Sequence, residues 1–276
     1  MTRVAAIQMT SGADIERNLA DAWRLLRDAA GQGATVVALP ENFAFMGLRE
    51  ADKLAVSEPH GDGPIQRFVA QAARELKLWI VAGTLPIRAS TGARVSAACI
   101  VYDAQGAEVA RYDKIHLFDV GIPGRDERYL ESSSVEPGAR TVCVDTPAGK
   151  LGLAVCYDVR FPELFRELSR AGADWFCVPS AFTAPTGRAH WEVLLRARAV
   201  ENLAHLVAPA QSGFHENGRE TYGDTLIVDC WGRILKRLPR GSGCISAELD
   251  LVRQRDVRHN FPVLGHRRFD TFPSRP

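Results

Sequence analysis

The chain has 276 residues, 46% of them hydrophobic, with 34 Lys and Arg against 33 Asp and Glu and a formal charge of +1 at pH 7. That balance lacks both the basic excess with which a nucleic-acid binder neutralises phosphates and the low hydrophobicity of a disordered tail, so no nucleic-acid partner is implied. The length allows a sizeable core and no Pro-, Gly- or Ser-rich linker divides it, so residues 1–276 read as one domain.

The opening MTRVAAIQMTSGADIE carries no apolar segment with a small-residue cleavage site, so the cytosol is the expected compartment. VAAIQM (residues 4–9) reads as a buried strand. Residues 14–30 follow as a helix with Ile15, Leu19, Ala22, Trp23, Leu26 and Ala29 on one face and Gly31 at its end. ATVVALP (34–40) is a second strand. Pro64 opens a helix with Ile65, Phe68, Val69, Ala72, Ala73 and Leu76 on its apolar stripe, and LWIVAG (78–83) is a third strand.

The segments IVYDAQGAEVARY, VCVDTPAGKLGLAVC and LIVDCWGRILKRL each place an aspartate-to-glycine turn between two strand-like runs, which predicts three antiparallel hairpins. After Cys156 come a helix opened by Pro162, the strand WFCVPS, a long helix near residues 190–202 and the strand HLVAPA. Nearly continuous apolar strands predict burial on both faces, and alternating strands and helices predict an α/β sandwich of packed sheets with helices outside. The charge-free residues 202–214 fall short of the roughly 18–20 apolar residues that a spanning helix needs, so no membrane partner is implied. The tail RQRDVRHNFPVLGHRRFD is locally basic but diluted by Asp256 and Asp270, and reads as a solvated or subunit-contacting segment.

Six cysteines without a CxxC pair make disulfides and zinc poor readings, and Cys99, Cys143 and Cys177 read as packing thiols. His190 and Glu192, expected to open the long helix, are two residues apart and cannot form an i, i+4 ligand pair; Arg196 and Arg198 are expected in structural ion pairs.

Three positions stand out for chemistry. Cys156 lies at the carboxyl end of a buried strand before a turn and a helix, where backbone N–H groups favour a thiolate; such a cysteine is either a nucleophile or a structural thiol. Glu41, in LPENF, is either a turn cap or a general base. Lys114, in RYDKIHLFD, is either a surface charge or a group that stabilises an oxyanion.

Taken together, LPENF, RYDKIHLFD and GLAVCYDVRFPEL resemble the three motif regions of the nitrilase superfamily of carbon-nitrogen hydrolases. GRAHWEVLLRARAVEN (187–202) and ENGRETYGDTLIVDCWG (216–232) are similar to its Nit branch, and the resemblance runs from VAAIQM to HRRFD. It implies a four-layer αββα sandwich that pairs into a homodimer, no metal and no organic cofactor. It also implies hydrolysis of a small-molecule amide to a carboxylic acid and ammonia. Cys156 would attack the amide carbon, Glu41 would move the protons, Lys114 and the N–H of Tyr157 would hold the oxyanion, and Glu131 would be the fourth site residue, with Glu127 its competitor. Phe182 and Thr183, in a loop over residues 180–187, are expected along the pocket. SAF, HWEVLLRARA and AQSG are most similar to the group of deaminated glutathione amidases, with omega-amidases on 2-oxoglutaramate as sister group and N-carbamoyl or nitrile hydrolases and an idle scaffold as further alternatives. Phe214, Asp224-Thr225 and Cys230 depart from the group's usual residues, and loss of a basic group at Phe214 weakens the match to an acidic substrate.

Overall fold

In the computed structural model, which describes residues 2–90, 92–124 and 127–268, side-chain alternation along the strand Thr2–Gln8 separates two cores. Val4 and Ala6 pack toward a second sheet, in a cluster with Val36, Ala38, Leu151, Leu153, Leu206 and Ile227. Ala5 and Ile7 turn to the opposite side, in a cluster with Leu25, Leu26, Val69 and Ala73 of the helices Ile15–Gly31 and Pro64–Leu76. A strand buried on both faces needs apolar residues at both parities, which explains the unbroken runs in the sequence.

The first sheet has seven strands. Its order is Gly243–Leu249, Thr2–Gln8, Val36–Leu39, Trp79–Ala82, Val95–Tyr102 and Leu85–Arg88, with Glu108–Asp113 also paired to Val95–Tyr102. The second sheet runs Ile234–Leu238, Thr225–Val228, His205–Ala208, Trp175–Cys177, Gly149–Leu153 and Cys143–Thr146. The helices Pro162–Arg170 and Ala184–Asn202 cover its outer side, giving helix, sheet, sheet and helix layers. Thr2–Gln8, Val36–Leu39 and Trp79–Ala82 are parallel, as are Gly149–Leu153, Trp175–Cys177 and His205–Ala208, so each sheet gathers several strand carboxyl ends on one edge. A bridge from Met9, past the end of Thr2–Gln8, to Gln211, past the end of His205–Ala208, ties these two edges together.

The three hairpins are antiparallel as expected. In the second, the polar group of the turn is Thr146, whose Oγ1 accepts from the Ala148 N–H at 3.2 Å, while exposed Asp145 lies outside it; its loop, residues 147–148, is shorter than the loops 103–107 and 229–233 of the other two. The first helix runs one residue past Ala30, and Gly33 rather than Gly31 takes the left-handed backbone behind it, at φ 77°.

The long helix begins six residues earlier than expected, so His190, Trp191 and Glu192 lie inside it and only residues 180–183 remain loop. Gly187, expected at the end of the loop, lies inside the helix; a Cβ there would overlap the Tyr222 side chain, so the glycine serves close packing within a continuous helix. Arg196 pairs with Glu192 at 3.1 Å and Arg198 with Glu201 at 2.9 Å, as expected. Among the described residues no helix is long and apolar enough to cross a membrane. The last two residues of the basic tail, 269 and 270, lie outside the described residues.

Gly83 joins the fold to the site. It adopts φ 43°, and a Cβ there would lie 2.0 Å from the Pro40 carbonyl oxygen, beside Glu41. Gly61 also has a left-handed φ, 82°, but has open space around it. Gly61→Ala should therefore cost about 1 kcal/mol from backbone strain alone, and Gly83→Ala about 3 kcal/mol or more. Urea denaturation of the two variants checks this; equal midpoints would contradict it.

Candidate active site

Glu41, Lys114 and Cys156 each follow the end of a strand. Behind Glu41, Gln211 Nε2 donates to its carbonyl at 3.0 Å and to Ser11 Oγ at 2.8 Å, and the Asn42 N–H donates to Thr84 Oγ1 at 2.9 Å. Lys114 follows Glu108–Asp113; its N–H donates to the Ala97 carbonyl and its carbonyl accepts from the Gly138 N–H. Cys156 stands at φ 47°, a backbone state uncommon outside glycine, with its N–H on the Pro179 carbonyl at 2.9 Å. The bend turns the chain out of the sheet into the short 3-10 helix Cys156–Arg160.

The side chains of these segments meet. Lys114 Nζ donates to Glu41 Oε1 at 2.9 Å and to both Glu131 oxygens at 3.0 and 2.9 Å. Backbone donors complete the carboxylates: the Ala181 N–H reaches Glu41 Oε2 at 2.8 Å and the Phe118 N–H reaches Glu131 Oε2 at 2.7 Å. A buried ammonium is tolerable only with such partners. Burial pushes Lys114 toward neutrality, but Glu131 and then Glu41 outweigh it and hold its pKa well above the ordinary lysine value. Burial likewise pushes the Glu131 carboxyl up, and Lys114, Lys53 and the Phe118 N–H overcome it, holding it below its ordinary value. For Cys156 the balance goes the other way: burial, reinforced by the charge of Glu41, raises the thiol far above the ordinary cysteine range despite Lys114. The thiolate expected from the local turn is thereby corrected, because the facing carboxylate and the dry surroundings outweigh the backbone N–H groups.

Asp158 locks the cysteine turn to the lysine loop. It is wholly buried; Oδ2 accepts from the Val155 N–H at 2.8 Å and the Tyr112 hydroxyl at 2.7 Å, while Oδ1 accepts from the His116 N–H at 3.1 Å and bonds His116 Nδ1 at 2.7 Å.

Glu41, Lys114, Glu131, Cys156, Tyr157, Phe182 and Thr183, all singled out in the sequence, line one cleft of about 470 Å³. Glu127 is separate from that lining, and its Oε2 accepts from the Tyr129 hydroxyl at 3.3 Å. Thr183 caps the long helix, its carbonyl accepting from the Gly187 N–H at 2.8 Å. Sequence reasoning missed Glu50, Lys53, Tyr129 and Arg219, which also line the cleft. Glu50 and Lys53 carry no motif, and Arg219 lay inside a quoted segment without being distinguished from its neighbours.

Three departures prove remote from the cleft. Phe214 is 75% exposed, so a missing basic group there bears nothing on substrate charge. Asp224 is buried at φ 65° under a forked contact from Arg237 at 2.6 and 2.8 Å, and Cys230 is buried elsewhere. Among the described residues no group of three or more His, Cys, Asp and Glu side chains is arranged to hold a metal ion.

The model of the carbon-nitrogen hydrolase family matches residues 3–259. The chain belongs to the carbon-nitrogen hydrolase family. It is 40% identical over 267 residues to a Yersinia enterocolitica protein named deaminated glutathione amidase, covering 96% of this chain and 93% of that one. The structure of the C. elegans NitFhit protein superposes with a TM-score of 0.91 at 37% identity; 99% of this chain is covered but only 66% of NitFhit, so the chain spans about two thirds of that protein's length. An amidase from Nesterenkonia sp. AN1, in a structure with acrylamide added at its active-site cysteine, superposes with a TM-score of 0.79 at 26% identity, covering 95% of this chain and 99% of that one. The nitrilase-like fold and the family expected from the motifs are thus both borne out.

In this carbon-nitrogen hydrolase the charged cluster makes stability depend on pH at both ends. The depressed Glu131 carboxyl contributes stability that is present above its ordinary value of 4.5 and is lost as pH falls through the lowered one. The raised Lys114 contributes stability that is present below 10.5 and is lost as pH rises through the raised one. Below about pH 4.5 the wild type should lose stability more steeply than Glu131→Gln, read as the slope of the urea midpoint against pH. Parallel slopes would contradict the assignment.

Proposed function

We propose that this carbon-nitrogen hydrolase is a thiol-dependent amidase in which Cys156 is the nucleophile, Glu41 the general base and acid, Lys114 and the Tyr157 N–H the oxyanion donors and Glu131 the anchor of Lys114, and that its substrate is deaminated glutathione. The observation that carries the mechanism is the Lys114 ammonium held between two carboxylates in the cleft that Cys156 lines. The substrate rests on the relative's name and on 40% identity across nearly both chains.

Each step uses a group already in place. The thiol rests protonated, and Glu41 takes its proton as sulfur bonds to the amide carbon, so a strongly basic thiolate never has to stand alone. The carbonyl π electrons move onto oxygen, where Lys114 faces the new negative charge. Collapse of this adduct breaks the C–N bond, and Glu41 returns the proton to the leaving nitrogen, leaving a thioester on Cys156. Water then gives a proton to Glu41 and attacks the thioester. The second adduct expels the cysteine sulfur, which regains its proton from Glu41, and a carboxylic acid leaves. A primary amide yields ammonia in this sequence. Deaminated glutathione contains only N-substituted amides and yields an amine, which widens the product expected from the sequence.

The same reading takes residues 1–276 as one domain acting in the cytosol without a cofactor. It pairs two copies through the outer helical layer, where Val193 and Val200 of Ala184–Asn202 are 63% and 45% exposed.

Products should be measured by mass spectrometry with deaminated glutathione, 2-oxoglutaramate and N-carbamoyl amino acids. The largest kcat/KM is expected on deaminated glutathione; a larger value on another compound would overturn that substrate. Cys156→Ala should lower turnover by about 10⁴-fold or more, and Lys114→Met should lower kcat by about 10²- to 10³-fold. Turnover in Cys156→Ala equal to wild type would overturn the thiol mechanism.

A further inference from the structure

The cleft lining holds three cations, Lys53, Lys114 and Arg219, and three carboxylates, Glu41, Glu50 and Glu131. They are not evenly paired. Lys114 serves both Glu41 and Glu131, so the reacting end carries one negative charge in excess. The rest of the lining holds the remainder: Lys53 Nζ lies 2.8 Å from Glu50 Oε2, and Arg219 has no carboxylate of its own among the described ion pairs. That part of the lining therefore carries one positive charge in excess.

Arg219 is built to present this charge. Its Nη2 donates to the Ala181 carbonyl, and its guanidinium carbon stands 5.1 Å from the centre of the Tyr129 ring, so two contacts hold the plane. Its buried Nε has no hydrogen-bond partner, a costly state for a polar atom on an otherwise anchored group. The anchor also fixes its position relative to the chemistry, because the N–H of the same Ala181 holds Glu41 Oε2 at 2.8 Å. Arg160 offers no substitute. It stacks over Phe182 and Tyr157 at 5.3 and 5.8 Å, its Nη1 faces His190 Nδ1 at 3.2 Å, and it is absent from the lining.

We propose that Arg219 is the specificity-determining residue of the cleft and takes the carboxylate of an acyl chain whose amide end lies against Cys156. A planar guanidinium with several N–H donors suits a carboxylate, and Arg219 presents one to the cleft. The acyl side is assigned because the acyl group stays through both halves of the reaction whereas the leaving nitrogen departs after the first, so a contact to the acyl arm assists both steps. Glu50 is the opposing element: its carboxylate, kept ionised by Lys53 and Arg219 against the effect of burial, moderates the positive charge. This assignment rests on the amidase reading only for the direction in which the amide points.

The probes are 4-carbamoylbutanoate and its methyl ester, which differ in one charge. Binding of each to Cys156→Ala is measured by calorimetry, and hydrolysis of each by the protein with Cys156 intact. The quantity read is the preference for the acid over the ester, which cancels any loss common to both. Arg219→Met should cut that preference by about 10- to 100-fold, and Arg219→Lys, which keeps the charge without the fork, by less. Glu50→Gln should raise it about threefold or more, a gain that misfolding does not produce. Hydrolysis of both probes with the preference unmoved in Arg219→Met and Glu50→Gln would overturn the role of Arg219 and leave the amidase standing. The predicted shifts in binding without hydrolysis of any amide would overturn the amidase and leave Arg219 standing.

Discussion

A lysine ammonium at 2% exposure sets the terms for the rest of the site. Moved alone from water into such surroundings it would lose its proton or unfold the protein. Here Glu41 and Glu131 bind it directly, and the carboxylates are in turn held by backbone donors, Glu41 Oε2 by the Ala181 N–H and Glu131 Oε2 by the Phe118 N–H. Each of the three side chains is held by another group, so the cluster is rigid before any substrate arrives. Rigidity of this kind is what electrostatic stabilisation of a transition state requires, since the donor then has no reorganisation left to undergo.

The frame exists to keep those partners in register. Glu41 comes from the first sheet and Cys156 and Ala181 from the second, and the two sheets touch mainly through apolar side chains that specify packing but not angular position. Polar clips supply the missing precision: Gln211 across to Glu41 and Ser11, and Asp158 across to Tyr112 and His116. Gly83 permits the close approach behind Pro40. The cost of this construction is carried by residues with left-handed backbone at the site itself, Asn42 and Cys156 among them.

Much of this was legible in the chain because its local signals were unambiguous. Pro64 and Pro162 mark helix starts, apolar runs mark the parallel strands, and the segments around Glu41, Lys114 and Cys156 carry the family's motifs. What stayed hidden depends on distance in sequence. The thiolate expectation failed because the turn's N–H groups are local, whereas what raises the thiol, burial first and Glu41 second, is supplied when the two sheets come together. The packing role of Gly187 stayed hidden because Tyr222, whose ring excludes a Cβ there, lies far along the chain. Arg219 and Glu50 look like ordinary surface charges until the fold brings them into the cleft that Lys114 lines. The choice between Glu127 and Glu131 turned on which of them reaches Nζ, which loop length alone did not specify.

The central claim is that Cys156 rests as a thiol beside the Glu41, Lys114 and Glu131 cluster, and loses its proton only as it attacks. Thiolate absorbs near 240 nm, so the difference in absorbance between wild type and Cys156→Ser isolates this one group, the other cysteines being common to both. Followed from pH 6 upward, that difference should stay flat through pH 9. A step centred near or below pH 8 would mean a preformed thiolate and would contradict the account.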